Sequence, residues 1–206
     1  MTDVLEMLKA IQFATVAHNK QTRKATGMPY IIHPITVAKI LAEEAGIDDI
    51  AILQAAVLHD VVEDTKVKLE EIAVQFGGVV ARIVAEVTDD KSQSKADRKR
   101  AQIEHASRMT REARLVKLAD KLQNLRDLSE CAPPDWTVER MQGYFVWCKA
   151  VMCSMPATNG VLESKLLMLI DKGWTVWKDG TRHPHVPEGD EHEMLEKYLA
   201  SFGDSK

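Results

Sequence analysis

Basic charge is in short supply in this chain. Lys and Arg total 27 against 31 Asp and Glu, which leaves a net charge of −4 with His neutral. A dedicated nucleic-acid binder normally carries a basic excess, so no nucleic-acid partner is expected. Long apolar runs are missing as well. None reaches the roughly 20 residues that a transmembrane helix needs, so no membrane partner is expected. Cysteine is scarce: Cys131, Cys148 and Cys153 form no CxxC pair. An odd count at irregular spacing fits neither a disulfide framework nor a zinc ribbon. The three read as small buried hydrophobes in a reducing compartment. Asp3 and Glu6 stand where a secretory signal needs a basic start and an apolar run. A signal peptide is therefore not expected, and the expected location is the cytoplasm. Alternating strand patterns are nearly absent, and no internal repeat is visible.

Helical periodicity is what the chain does have. Val4, Leu8, Ile11 and Thr15 fall on one stripe, and Val37, Ile40, Leu41 and Ala45 on another. Leu115, Leu118, Leu122, Leu125 and Leu128 repeat at threes and fours, the clearest amphipathic signal. Further helices are expected around Leu69–Phe76, Val79–Val87, Ala96–Arg108, Val138–Met155 and Leu162–Ile170. Breaks are expected at Gly27-Met28-Pro29, Gly46, Gly77-Gly78 and Pro133-Pro134. Pro34 suits a first helical position, which puts His33 near the cap. A chain of 206 residues with 45% hydrophobic content can bury one sizeable core. The fold class is therefore all-α, a helical bundle over 1–173 with a C-terminal extension over 174–206. The extension is rich in turn residues to Pro187, acidic to Glu193, and closes in a short helix marked by Met194, Leu195, Tyr198 and Leu199. It is expected to dock through Trp174 and Trp177.

The stretch from Ile50 to Asp64 is apolar on nearly every face, the mark of a central buried helix. Yet it carries His59, Asp60, Glu63 and Asp64. Burying one unpaired carboxylate costs on the order of several kcal/mol, so three acids and a His there call for a compensating cation. His59/Glu63 and Asp60/Asp64 are i, i+4 pairs on adjacent faces. Two more ligands are available: His33 before Pro34, and Asp120, off the leucine stripe of its helix. Taken singly, His33 reads as a helix cap and Asp120, between Lys117 and Lys121, as a solvated surface acid. Taken with the buried pair, they complete a set of two imidazoles and two carboxylates. Such a set suits manganese or iron, with zinc as a further option. Its open positions admit a water nucleophile and a phosphoryl oxygen.

The order His33, His59-Asp60, Asp120 is the H…HD…D pattern of the HD-domain phosphohydrolases. Longer segments narrow it: Arg23-Lys24, Pro29 to Pro34, Leu58 to Thr65, Val87 to Lys91 and Val116 to Arg126. These resemble the hydrolase domain of the RelA/SpoT alarmone enzymes, in particular the small stand-alone members found in animals, the metazoan SpoT homologues. An HD pair alone is common, whereas HDVVEDT together with KLADKLQNLRDL is specific. The resemblance runs to about Gly173. It implies an HD-domain helical bundle, a Mn2+ ion, and removal of the 3′-pyrophosphate from ppGpp or pppGpp to leave GDP or GTP. It implies His33, His59, Asp60 and Asp120 as metal ligands, and Glu63 and Asp64 as the catalytic acids that orient and deprotonate a metal-bound water. Arg23 and Lys24 match a basic pair on the nucleotide, and Asn124 a polar contact. Asp127 departs from the small hydroxyl residue common in the long enzymes. There is no room here for their synthetase and regulatory domains, so hydrolysis alone is expected.

A substrate with two pyrophosphates needs cations beyond the metal. Lys95, Arg98, Lys99 and Arg100 form a cluster in which most members read as a solvated helix face. Lys95 is the substrate candidate among them, with Arg140 and Tyr144 as candidates for the far wall. His183, His185 and His192 read as a solvated loop. Two other functions compete with the alarmone reading. One is a phosphatase acting on another nucleotide with a ribose 2′- or 3′-phosphate, such as NADPH. The other is a non-catalytic nucleotide-sensing module, against which the presence of Glu63 and Asp64 counts.

Overall fold

The computed structural model describes residues 2–24, 26–177 and 179–203. Along them run α1 (Asp3–Ala17), α2 (Ile32–Glu43), α3 (Ile50–Leu58), α4 (Val61–Asp64), α5 (Leu69–Phe76), α6 (Gly78–Val87) and α7 (Lys95–His105). A 3₁₀ turn at Ala106–Arg108 leads into α8 (Arg111–Glu130), α9 (Val138–Cys153) and α10 (Gly160–Lys172). Two short strands, β1 (Trp174–Val176) and β2 (Arg182–Pro184), precede α11 (Glu191–Ala200). The fold is all-α, as the periodicity predicts. Side-chain caps start several helices: Asp49 accepts from the amides of Ala51 and Ile52, and Asn159 from those of Val161 and Leu162.

The chain divides into two compact units. The first takes the chain to Arg23, Gly27–Asp89 and Met109–Gln123. Its centre is α3, packed by α1, α2 and α6, with Ala55, Ala56 and Leu58 fully buried. α1 buries Ala10 and Ala14 rather than the predicted stripe, and Val4 and Leu8 stay exposed. Small side chains let α1 approach α3 closely, which larger ones on the same face would prevent. The predicted helix from Ile50 onward is interrupted at His59 and Asp60, so α3 and α4 are separate pieces.

The second unit holds Lys24, Thr26, Asp90–Arg108 and the chain from Asn124 onward. α9 is its core helix, with Met141, Phe145, Trp147 and Val151 buried among α7, α10 and α11. α8 contributes Leu125 and Leu128 here, and Leu115, Leu118 and Leu122 to the first unit, so the whole leucine stripe is buried. β1 and β2 pair antiparallel with Thr175 opposite His183. The expected tryptophan docking is not what holds the extension: Trp174 is half exposed. Thr175 and His185 are fully buried instead. Thr175 donates to the Leu128 carbonyl at 3.4 Å, and the His185 ring stacks on Phe145 at 3.9 Å. His185 is thus no solvated loop residue. Gly173 makes this possible, because a β-carbon there would collide with the His185 ring. Of the cysteines only Cys148 is buried, while Cys131 and Cys153 are exposed.

Candidate metal centre and active site

His33 is the second residue of α2, and Pro34 the third rather than the first. Proline is tolerated throughout that turn, where amides lack helical partners. His59 closes α3. Its Nδ1 lies 2.7 Å from the Ala56 carbonyl, the acceptor a continuous helix would offer to the Asp60 amide. That contact accompanies the break and makes Nδ1 the protonated nitrogen, leaving the Nε2 lone pair free to bind a cation. Asp60 follows in the turn, and Asp120 arrives from α8.

The four side chains converge. His33 Nε2 lies 3.2 Å from Asp120 Oδ1 and 3.6 Å from Asp60 Oδ2. His59 Nε2 lies 3.1 Å from Asp60 Oδ2 and 3.7 Å from Asp120 Oδ1. Both histidines are buried, and His59 Nε2 is sealed from solvent without a hydrogen-bond partner. Burial alone lowers the His59 pKa, but Asp60 and Asp120 overcome it and hold the imidazole well above its ordinary value. Burial likewise raises both carboxyls, yet His59 and His33 keep Asp60 and Asp120 below the usual carboxylate range. Two imidazole nitrogens and two carboxylate oxygens facing one another are a donor set for a divalent cation, and the orphaned Nε2 fits one. His33, His59 and Asp60 stand out as a group with metal-binding geometry.

Glu63 and Asp64 sit on α4, one turn beyond. Burial pushes the Glu63 carboxyl up to about 7, an effect the Asp89 amide opposes and the charges of Asp89 and Asp60 reinforce. That amide donates to Glu63 Oε2 at 3.1 Å. Asp64 is tied to Asp60 through Tyr30, whose hydroxyl donates to Asp60 Oδ2 at 2.6 Å and lies 3.4 Å from Asp64 Oδ2.

Sequence reasoning gave no role to Tyr30, Gln21, His18 or Lys117. Burial, and then Asp60, push the Tyr30 pKa far above its ordinary value, so the hydroxyl is a permanent donor. Gln21 donates to the Asp64 carbonyl at 2.8 Å and meets His18 Nδ1 at 2.8 Å. Lys117 is buried and donates to the Val87 carbonyl at 3.1 Å. Only Tyr30 carried a signal, its place three residues before His33. Such orienting partners typically cost about 10–100-fold in metal affinity or activity when removed. Tyr30→Phe is expected to weaken manganese binding within that range while the melting temperature changes little. Calorimetric titration of manganese into both proteins checks it.

The substrate candidates fall as follows. Arg23 lies over the Tyr30 ring, 5.7 Å from its centre. Asn124 follows Asp120 by one turn on α8. In the second unit, burial and then the charges of Arg140, Lys24 and Arg98 depress the Lys95 pKa, so four cations are crowded together. Arg140 stacks on Trp136 at 4.7 Å. Tyr144 stands between Trp136 and Trp147. Lys99, expected in solvent, is instead held 3.5 Å from the centre of a Trp147 ring.

The chain belongs to the HD domain family, whose pattern matches residues 10–143. Within that family the similarity is to the RelA/SpoT type. Guanosine-3′,5′-bis(diphosphate) 3′-pyrophosphohydrolase MESH1 of Xenopus tropicalis is 50% identical over 177 residues, 85% of this chain and 99% of that protein. The Homo sapiens protein of the same name is 49% identical over 177 residues, again 85% of this chain and 99% of its own. A solved structure described as a metazoan orthologue of SpoT that hydrolyses ppGpp superposes with a TM-score of 0.76 at 48% identity. It covers 78% of this chain and 91% of its own.

Proposed function

We propose that the chain hydrolyses the 3′-pyrophosphate of ppGpp and pppGpp in a manganese-dependent reaction, releasing GDP or GTP and pyrophosphate. The observation that carries the reading is a buried two-His, two-Asp donor set with a carboxyl of raised pKa one turn away. The names of the similar proteins support the substrate.

His33, His59, Asp60 and Asp120 would hold the ion, which when bound supplies Lewis-acid polarisation of a phosphoryl oxygen and a more acidic water. The remaining steps belong to the protein. Glu63 takes a proton from the water that attacks the 3′-phosphorus, and Asp64 orients that water in line with the leaving ribose oxygen. Tyr30 holds Asp60 and Asp64 in register. Arg23, Lys24, Lys95, Asn124, Arg140 and Tyr144 are the substrate contacts. The test is release of pyrophosphate from ppGpp, compared with release of phosphate from NADPH, at equal enzyme and manganese. Faster turnover of ppGpp supports the reading, and turnover of NADPH alone overturns it.

The basic pair has its own consequence. Hydrogen bonds to charged groups are worth about 1.5–3 kcal/mol, so Arg23→Ala and Lys24→Ala are each expected to raise KM about tenfold or more. Contacts held in ground and transition state alike leave kcat near wild type. Unchanged KM in both variants moves the clamp to Lys95.

A further inference from the structure

The segment after Gly173 lies beyond the motifs that carry the resemblance to the alarmone hydrolases. The Xenopus relative is matched almost end to end, yet 85% of this chain is used in doing so, so this chain carries residues that protein lacks. The extension is nonetheless firmly seated in its unit. Asp190 caps α11 by accepting from the His192 and Glu193 amides. Lys149 of α9 bonds Glu191 at 2.8 Å and Asp171 at 3.0 Å. Tyr198 and Leu199 are buried. Tyr198 packs on Gly143 of α9, where a β-carbon would stand 2.6 Å from Tyr198 Cβ. α9 therefore has no side chain at the place where α11 docks.

From that seat two aromatic rings of the extension reach the cations of α7. The Lys99 ammonium lies 3.5 Å from the centre of a Trp147 ring, 5.1 Å from those of Tyr144 and Tyr198, and 5.5 Å from that of Phe202. Lys95, one turn earlier, lies 4.8 Å from the Phe202 ring. The Trp147 indole donates to the Lys99 carbonyl at 3.0 Å, which fixes the box to the helix.

An aromatic face attracts a cation without neutralising it, which a carboxylate does not achieve. It suits a place where several cations must stay charged for an anion. Lys95 is such a cation: burial, and then the nearby charges of Arg140, Lys24 and Arg98, lower its pKa.

We propose that α11 and the turn that follows it are a positioning element of the anion-binding wall, with Tyr198 and Phe202 holding Lys99 and Lys95 in place for a polyphosphate. The inference rests on the reading of the chain as a hydrolase of a polyphosphate nucleotide, and it gives the extension a part in that reaction.

The test uses the full chain with manganese and the variants Phe202→Ala, Phe202→Tyr and Tyr198→Phe. Inorganic pyrophosphate affinity is measured by calorimetry, and amine-labelling rates at Lys95 and Lys99 by peptide mass spectrometry without ligand. KM and kcat are measured for ppGpp. Phe202→Ala is expected to weaken pyrophosphate binding about two- to fivefold, the loss typical of a cation–π contact at an exposed lysine such as Lys95. Labelling of Lys95 should quicken, KM should rise in parallel, and kcat should stay within about twofold. Phe202→Tyr and Tyr198→Phe keep the rings and should match wild type. In a Lys95→Ala, Lys99→Ala background, Phe202→Ala should cost nothing further, because its effect runs through those lysines. Unchanged pyrophosphate affinity in Phe202→Ala overturns the proposal, whatever the labelling shows. So does a full additional loss in the double-lysine background, which marks a general structural effect. A wild type that leaves ppGpp intact removes the function reading, while the pyrophosphate titrations still decide the role of α11.

Discussion

His33→Ala and Asp120→Ala are each expected to abolish stable manganese binding and, with it, turnover. The loss should exceed the roughly 10–100-fold seen when only an orienting partner of a metal ligand is removed. Each variant deletes one of four donors whose His–Asp pairs lie 3.1–3.7 Å apart in a largely buried site. The competing account is that the histidines are protonated partners of the two carboxylates and no ion is involved. In that case either variant leaves an uncompensated buried charge, so stability falls while manganese content and its effect on rate are unchanged. Metal content, kcat and melting temperature on one preparation separate the accounts. The pH dependence adds a second check. Asp60 and Asp120 hold the His59 proton well above the ordinary imidazole value, against the effect of burial. A cation must displace that proton, so apparent affinity should weaken as pH falls through the raised His59 pKa, by up to about tenfold per pH unit for one proton. Affinity independent of pH between 6 and 8, taken as about one unit to either side of neutrality, would exclude His59 as a ligand.

The parts of this site that sequence could reach are those where pattern and chemistry disagree. Acids in the most apolar segment have no cheap structural explanation, so His59, Asp60 and Glu63 announce themselves. The leucine stripe of α8 places Asp120 off the apolar face, and every leucine of the stripe is buried. The missed residues have a different character. Tyr30 and Gln21 act through hydrogen bonds that close over long sequence separations, as between Gln21 and the Asp64 carbonyl, and His18 joins them only through Gln21. No periodicity reports such a contact. Lys117 and Lys121 look like solvated neighbours of Asp120, yet both are buried. The helix break at His59 was equally invisible, because both residues at the junction keep nearly helical dihedrals.

The extension shows the same limit in another form. Two tryptophans in a turn-rich segment are the obvious anchors by size, since large aromatics dominate burial. The structure instead buries Thr175 and His185, because strand alternation turns Thr175 inward and Trp174 outward. His185 then satisfies its Nδ1 on the Leu169 carbonyl at 2.6 Å, and burial lowers its pKa, so the ring packs as a neutral aromatic against Phe145. Which face a three-residue strand presents depends on its partner and register, neither of which can be read from its own residues.

Glu63→Gln is expected to lower kcat by about 10²–10⁴, the usual contribution of general-base assistance, while manganese binding survives. Three features make Glu63 the candidate proton acceptor. It lies one turn beyond the donor set, close enough for the Asp60 charge to raise its pKa. Burial is the main cause that lifts that pKa to about 7, with the Asp60 charge a smaller one, so the carboxylate is a better base than a solvated glutamate. The Asp89 amide holds one oxygen, Oε2, by a hydrogen bond of 3.1 Å, which fixes the direction of the other. Glutamine keeps the shape and an accepting oxygen but cannot take the proton. The sign of the pH effect follows from the same value. The deprotonated form is the active one, so kcat should fall as pH drops through about 7, and a positive charge nearby moves that limb lower. The limb should vanish from the residual activity of Glu63→Gln. If Glu63 only balances charge in the buried segment, the substitution will instead shift the melting temperature and leave both kcat and its acid limb in place. A fully metal-loaded Glu63→Gln protein with near wild-type kcat would end the general-base assignment and pass the role to Asp64.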